Sequence, residues 1–263
     1  MSEQILVIDT SYGLTVGVVG HEPHHEADSR QHVEKIEPAI AASLIDAGLT
    51  PADIAAVVVG IGPAPFTGLR AGIVSAKAFA FATGARLLGQ NILEPQAVWS
   101  AHVAASADDE AAASQRLVLA VNDARRKQLY SQIFLVTPGE AGTRPTIEAL
   151  SAMDIQDPAA ISNALRETIE RRSLEGIPLD ILGHGAEKYA AAWETLPGST
   201  PTIRDQSVIH AAGTEGLGLF ARLALDHEKA GDSVSAEPLY LRRPDVSIPA
   251  PLKPVTEAGK ASR

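Results

Sequence analysis

The chain has 263 residues, 45% of them hydrophobic and 21% charged, with a formal net charge of −10 and no cysteine. That length and composition suit one large globular domain or two modest ones. The missing cysteines exclude disulfides, thiolate metal sites and cysteine nucleophiles, and the acidic surplus argues against unaided nucleic-acid binding, which draws its affinity largely from phosphate neutralisation.

The opening Met-Ser-Glu-Gln-Ile-Leu-Val-Ile-Asp-Thr-Ser has no basic leader, and its apolar run is too short for a signal peptide or a membrane span. This predicts a soluble, cytoplasmic protein. Residues 5–9 form a continuous apolar run closed by an acid, the pattern of a buried central strand. A turn over 10–13 and a second strand over 14–19 complete a hairpin with Asp9 at its mouth. Residues 21–28 read as a loop or short edge strand. Val33, Ile36, Ile40 and Leu44 predict a helix over 32–47, stopped by Gly48 and holding Pro38 in its first turn or bent by it. A strand over 55–59 and a Gly/Pro turn over 60–65 lead into a strong helix over 66–83, with Thr67 as its N-cap and Gly84 as its end. Leu87-Leu88 begins another short strand, and the Ala- and acid-rich residues 104–115 read as a linker or solvated helix end at a domain boundary.

The second half repeats the opening: a strand over 117–121, Asp123, a turn to 128, and a strand over 129–136. Asp9 and Asp123 hold equivalent places. Helices over 158–172, 186–195 and 207–230 and a strand over 179–182 follow. The pattern predicts an α/β protein of two duplicated domains around a cleft. Their expected bounds are 1–105 and 106–235, with the last helix packing back on the first domain. A final strand and a disordered, Pro-rich tail occupy 236–263.

The helix over 66–83 carries too much apolar surface for one buried face. Phe66, Leu69, Ile73, Ala76, Lys77 and Ala80 fall along one stripe; Ala71, Val74, Ala78 and Phe81 fall along another. Either the helix is wholly internal to its domain, or its second stripe meets a partner. The small residues permit close approach, and the 32–47 helix supplies a second wall. The partner-binding candidates are therefore Ile36, Ile40, Leu44, Phe66, Leu69, Arg70, Ile73, Val74, Lys77 and Phe81.

Candidates for a cleft site are weaker. Gly60 to Arg70 joins a glycine turn to a helix start, which can cradle phosphate. Pro63 and Pro65 lack the N–H groups this needs, and no P-loop Lys-Ser/Thr follows, which favours a plain strand-to-helix turn. Asp9 and Ser11 lie where actin-like ATPases hold metal and phosphate, but Ser11 stands in place of the glycine that close approach requires. His21, His24 and His25 are near one another but in a predicted loop, and no HExxH is present, so no metal site is expected. Asp123, Arg125, Arg126 and Lys127 cluster charge at a hairpin turn, either solvated or facing a phosphate or acidic partner. Gly183 and Gly185 form a second glycine turn that lines the cleft or only turns the chain. No Ser-His-Asp set or carboxylate pair predicts catalysis.

Five blocks together resemble the TsaB (YeaZ) family over residues 4–242: Ile5-Leu-Val-Ile-Asp-Thr-Ser11, Arg30-Gln-His-Val-Glu34, Gly60-x-Gly-Pro-x-x-Phe-Thr-Gly-Leu-Arg70, Asp123-Ala-Arg-Arg126 and Gly183-x-Gly-Ala186. The third is the most specific. The resemblance implies the actin/Hsp70-like ASKHA fold. It also implies a non-catalytic subunit that assists TsaD and TsaE in placing threonylcarbamoyl on N6 of adenosine 37 in ANN-decoding tRNAs. TsaD, TsaE and a second copy of the chain are the partners it implies, with tRNA reached only through the complex, no membrane, no cofactor, and a nucleotide only within the complex. The catalytic paralogue carries a His-x-x-x-His pair where this chain has Asn91-Ile-Leu-Glu-Pro95, so the metal and its chemistry are expected to be missing. Ala64-Pro65 and Lys127-Gln128 replace the family's usual Gly-Ser and Gly-Glu, which stiffens the first turn and adds charge at the second. The competing readings are a metallopeptidase of the glycoprotease type and a small-molecule kinase or ATPase of the same fold.

Overall fold

The structure is a computed structural model that describes residues 3–27, 32–106, 114–139, 144–194, 196, 200–205 and 207–241. Two sheets share one plan. In the first, β1 (Ile5–Asp9) pairs antiparallel with β2 (Leu14–Val18), and β3 (His24–Glu26) adds at the edge. On the other side of β1, β4 (Ala56–Gly60) and β5 (Arg86–Gln90) run parallel, giving the order β3-β2-β1-β4-β5. In the second, β6 (Arg116–Asp123) forms a hairpin with β7 (Leu129–Thr137), and β8 (Thr146–Ala149) and β9 (Asp154–Gln156) both pair on β7. β10 (Leu179–Leu182) and β11 (Thr202–Arg204) run parallel beyond β6, so the order β11-β10-β6-β7-β8 is the first plan repeated. The duplication expected from the strand–Asp–turn–strand repeat is therefore present in the hydrogen bonding.

Helices fill three layers around these sheets. α1 (His32–Ala47) and α2 (Phe66–Thr83) cover the outer face of the first sheet over Leu6, Ile8, Val57 and Val59. α4 (Pro158–Arg172) covers the outer face of the second over Leu117, Leu119 and Ile181. Between the sheets lie α3 (Glu94–Ser106) and α6 (Gly213–Ala230), which follows the short α5 (Val208–Ala211). α3 belongs to the first half of the chain but packs on β6, β7 and β10, whereas α6 packs back on β1 and β5. Each half thus lends a helix to the other. The shared core joins Val7 and Val58 to Val118, Phe134, Leu217 and Phe220. Polar bolts cross it. Arg116 Nε and Nη2 donate to the two oxygens of Asp180 at 2.7 Å, both residues are buried, and Ser100 of α3 donates to the same carboxylate. Glu94 at the start of α3 meets His227 Nε2 of α6 at 3.0 Å.

Several expectations are corrected. α2 starts at Phe66 after Pro65, without a side-chain cap from Thr67; Gly84 ends it with φ 75°, as its position suggested. Pro38 falls inside α1, beyond the first turn. Of the helix expected over 186–195, the described residues 186–194 form turns around a short 3-10 helix, Ala190–Ala192, rather than a regular helix. Asp205 Oδ1 takes the N–H groups of Gly185 and Glu187, and Trp193 Nε1 donates back to Ala186 O at 2.9 Å, which holds the segment as a folded turn. The 207–230 helix breaks at Gly213, whose φ is 50°. α3 was not expected: sandwiched between two sheets, it lacks the single stripe that marks a surface helix. Ile36, Leu44, Leu69 and Ile73, taken as partner-binding, belong to the core over the first sheet and are at most 5% exposed. They are unavailable to a partner because the 3.6-residue period aims them at the sheet. The segment 30–31 of one family block, part of the 104–115 linker and the tail beyond 241 lie outside the described residues.

Candidate functional site

A cleft of about 500 Å³ opens where the two hairpin turns approach each other. Thr10 to Gly13 from the β1–β2 turn, the first turn of α2 with Pro65 to Gly68, and Asp123 and Arg125 from the β6–β7 turn all line it. The sequence-predicted residues Ser11, Asp123 and Arg125 are thus brought together. Asp9 is buried next to Ser11, Gly183 lies against Val121 and Gly185 against Leu129 and Asp123, none of the three lining the cleft itself, and Arg126 is exposed in the same turn as Arg125.

The two equivalent aspartates do the same local job in different surroundings. Each accepts the backbone N–H two residues on: Asp9 Oδ1 from Ser11 N at 3.3 Å, and Asp123 Oδ1 from Arg125 N at 2.7 Å. Such a contact fixes a strand-end turn. Asp9 is buried, and burial raises its pKa to about 6, against the lowering effect of the Ser11 hydroxyl, which donates to it at 2.7 Å. Gly60 makes room for it, since a Cβ there would lie 2.0 Å from Asp9 Oδ1. Asp123 instead faces Lys188 Nζ at 2.8 Å with part of its side chain in solvent. The turn beyond it is unusual: Arg125, Arg126 and Lys127 all have left-handed φ of 62°, 51° and 60°. Three such residues without glycine are held by the Ala124–Gln128 pair and the bond from Gln128 N to Arg125 O.

One feature of the cleft has no sequence signal. Tyr12 stacks on His184 with ring centroids 3.5 Å apart, and His184 meets His210 edge-on at 5.7 Å, which in turn lies 4.7 Å from His25. Residues separated by more than 150 positions thus form one aromatic column across the two halves. His184 is buried, which lowers its pKa to about 3, and the neighbouring His210 adds to the effect. Burial lowers the pKa of His210 and, ahead of the His210 charge, that of His25. Of the sequence-adjacent histidines, His24 pairs with Asp46 at 2.9 Å while His25 turns to Thr15 Oγ1 at 3.0 Å, so they do not converge. Among the described residues no group of three or more His, Cys, Asp or Glu side chains is arranged to hold a metal ion. At the Asn91-to-Pro95 stretch, Asn91 Oδ1 caps α3 by accepting from Leu93 N and Glu94 N.

The second candidate surface is the outer side of α2. Val74 is 64% exposed and Phe81 92%, and Ala78 and Ala82 are also exposed; Ile45 on α1 is 76% exposed. Arg70 and Lys77 lie along the same outward line, and Ile40 and Phe66 are partly buried at its margins.

Comparison with known proteins agrees with this architecture. Residues 17–141 match the family described as TsaD, tRNA N6-adenosine threonylcarbamoyltransferase. An uncharacterized protein of Mycobacterium tuberculosis is 34% identical over 169 residues, covering 61% of this chain and 72% of its own length. The chain belongs to the TsaD family. A shorter stretch, 75 residues at 40% identity, matches the tRNA N6-adenosine threonylcarbamoyltransferase of Erythrobacter litoralis, covering 28% of this chain and 22% of that protein. YeaZ from Pseudomonas aeruginosa superposes with a TM-score of 0.62 over 91% of this chain and all of its own, at 21% identity, which establishes the shared fold. The family's actin-like ASKHA architecture is the one the two repeated sheets display. No described helix is long and apolar enough to cross a membrane.

Proposed function

We propose that the chain is a non-catalytic accessory subunit of tRNA threonylcarbamoylation, which binds TsaD through the outer face of α2 and α1 and works with TsaE. The observation that carries this reading is the solvent-facing line Val74–Ala78–Phe81, an apolar stripe on a helix whose other side already fills the core. A helix on the surface of a domain normally has one apolar stripe, and a Phe left 92% exposed on such a helix is suited to docking in a partner's pocket. When TsaD is absent the same face pairs two copies of the chain, and tRNA is met only through the complex. The carboxylates at and next to the cleft hold its turns, Asp9 with Ser11 and Asp123 with the Arg125 N–H and Lys188, which supports an assisting role over catalysis. The test is reconstitution. TsaD of the same organism, TsaE, threonylcarbamoyl-adenylate and an ANN-decoding tRNA are incubated with and without this protein. Modified adenosine only when the protein is present, and none from the protein without TsaD, is the expected result; modification by the protein alone overturns the proposal.

A further inference from the structure

After α6 the chain folds back over α2 as a strap. Val234 bridges to Gly89 on the free side of β5, with Gly89 N donating to Val234 O at 2.9 Å. A side chain at Gly89 would meet Ser235 O at 2.6 Å, so the glycine leaves room for the strap to close on the strand. Ala236 enters the core over the first sheet, and Leu239 N donates to Ile61 O at 2.8 Å. These contacts fix the strap. Two others reach the outer side of α2. Lys77 Nζ donates to Glu237 Oε1 at 2.5 Å, and Arg70 Nε donates to the Tyr240 hydroxyl at 2.5 Å. The Arg70 guanidinium lies 3.7 Å from the centre of the Phe66 ring and 5.5 Å from that of Tyr240, which stack on each other at 5.0 Å.

Arg70, Val74, Lys77 and Phe81 follow one another at intervals of four, three and four residues, so the outward line of α2 alternates cation and apolar residue. Both cations are engaged by the strap, and through side chains that solvent reaches: Lys77 and Glu237 are 42% and 67% exposed. Exposed pairs of this kind are weak and readily exchanged. A carboxylate opposite Arg70 makes a stronger, charge-assisted bond than the Tyr240 phenol does.

We infer that Glu237 and Tyr240 are internal stand-ins for a partner helix whose apolar stripe packs on Val74 and Phe81 and whose flanking carboxylates take over Lys77 and Arg70. The inference rests on the docking role proposed for α2 and adds to it the chemistry of the partner and a built-in competitor. The strap anchors at Val234 and Ala236 stay in place; only the two side-chain contacts change hands.

The test is the affinity of the full chain for TsaD, measured by titration calorimetry at low and high salt, with thermal melts showing that each variant is folded. The double variant Glu237→Gln/Tyr240→Phe removes the competing groups and is expected to bind about three- to tenfold more tightly, the range that two exposed polar contacts span. Lys77→Gln is expected to bind more weakly at low salt and to lose much of its difference at high salt. A double variant that binds no better than the parent, while Phe81→Glu abolishes binding, overturns the inference and makes the strap a fixed wall of the surface. Absence of binding by the parent protein overturns the docking role itself, and the inference with it.

Discussion

The two repeats have the same strand order, yet their covering helices are finished differently. On α4 the outward positions are Ala159 in the first turn and then Asn163, Glu167, Glu170, Arg171 and Arg172, with no large apolar residue among them, while Ile161, Leu165 and Ile169 face the second sheet. On α2 the inward set Leu69, Ile73 and Ala76 is just as apolar, but the outward positions include Val74, Ala78 and Phe81. Duplication supplies one scaffold twice, and the solvent side of the helix tells which copy is complete in itself. The same contrast holds for the paired aspartates: Asp123 has a lysine and solvent, whereas Asp9 has only a hydroxyl and backbone.

The largest expected effect lies at the seam of the second repeat. Asp180→Ala leaves the Arg116 guanidinium buried without its bidentate partner and is expected to cost about 3–5 kcal/mol in urea unfolding. An effect within the range of a surface pair would mean that the α3 layer does not depend on this ion pair.

Next is the response to acid. The folded-state pKa of His184, about 3, lies below the ordinary 6.5, so the unfolded chain binds the proton first. Its contribution to stability is complete above pH 6.5 and is lost as pH falls from there towards 3. Asp9 has the opposite sign: its pKa is raised from 3.8 to about 6, so it favours the folded state below pH 3.8 and loses that effect as pH rises through 6. The histidine shift is larger, and His25 and His210 act in its direction, so net stability is expected to fall between pH 6 and 4. Thermal melts across that range check this, and His184→Phe is expected to flatten the fall.

The aspartates offer a closer comparison at neutral pH. Asp9→Asn removes a buried charge while keeping an acceptor for Ser11, and is expected to raise stability at pH 7.5 by up to about 3 kcal/mol, the equivalent of its pKa shift. Asp123→Asn loses a partly exposed pair and is expected to lower stability by less than about 1 kcal/mol. Equal effects from the two would show that their surroundings do not differ as described.

Much of this was legible in the sequence because local chemistry dictated it. The apolar runs at 5–9 and 117–121 became central strands, and the two-stripe pattern of 66–83 foretold an exposed apolar face. Which residues formed that face was only half readable: Val74 and Phe81 are outward, but Ile36, Leu44, Leu69 and Ile73 are not, since apolar character alone does not say which stripe meets the sheet. α3 escaped notice, although Asn91, Glu94 and Pro95 together signal a capped helix start. The short strands β8, β9 and β11 are partly exposed edges with little periodicity. The Tyr12–His184–His210–His25 column is set by topology and has no local trace.

The smallest expected effect on stability accompanies the largest on assembly. Phe81 is 92% exposed, so Phe81→Glu should alter the melting of the isolated monomer by no more than about 0.5 kcal/mol. The decisive measurement is the mass, by light scattering, of this protein mixed with TsaD of its own organism, before and after that substitution. A heterodimer formed by the parent chain and lost with Phe81→Glu is the predicted result. A heterodimer that survives the substitution, or none with the parent chain, would contradict the claim that the outer face of α2 exists to be covered by a partner.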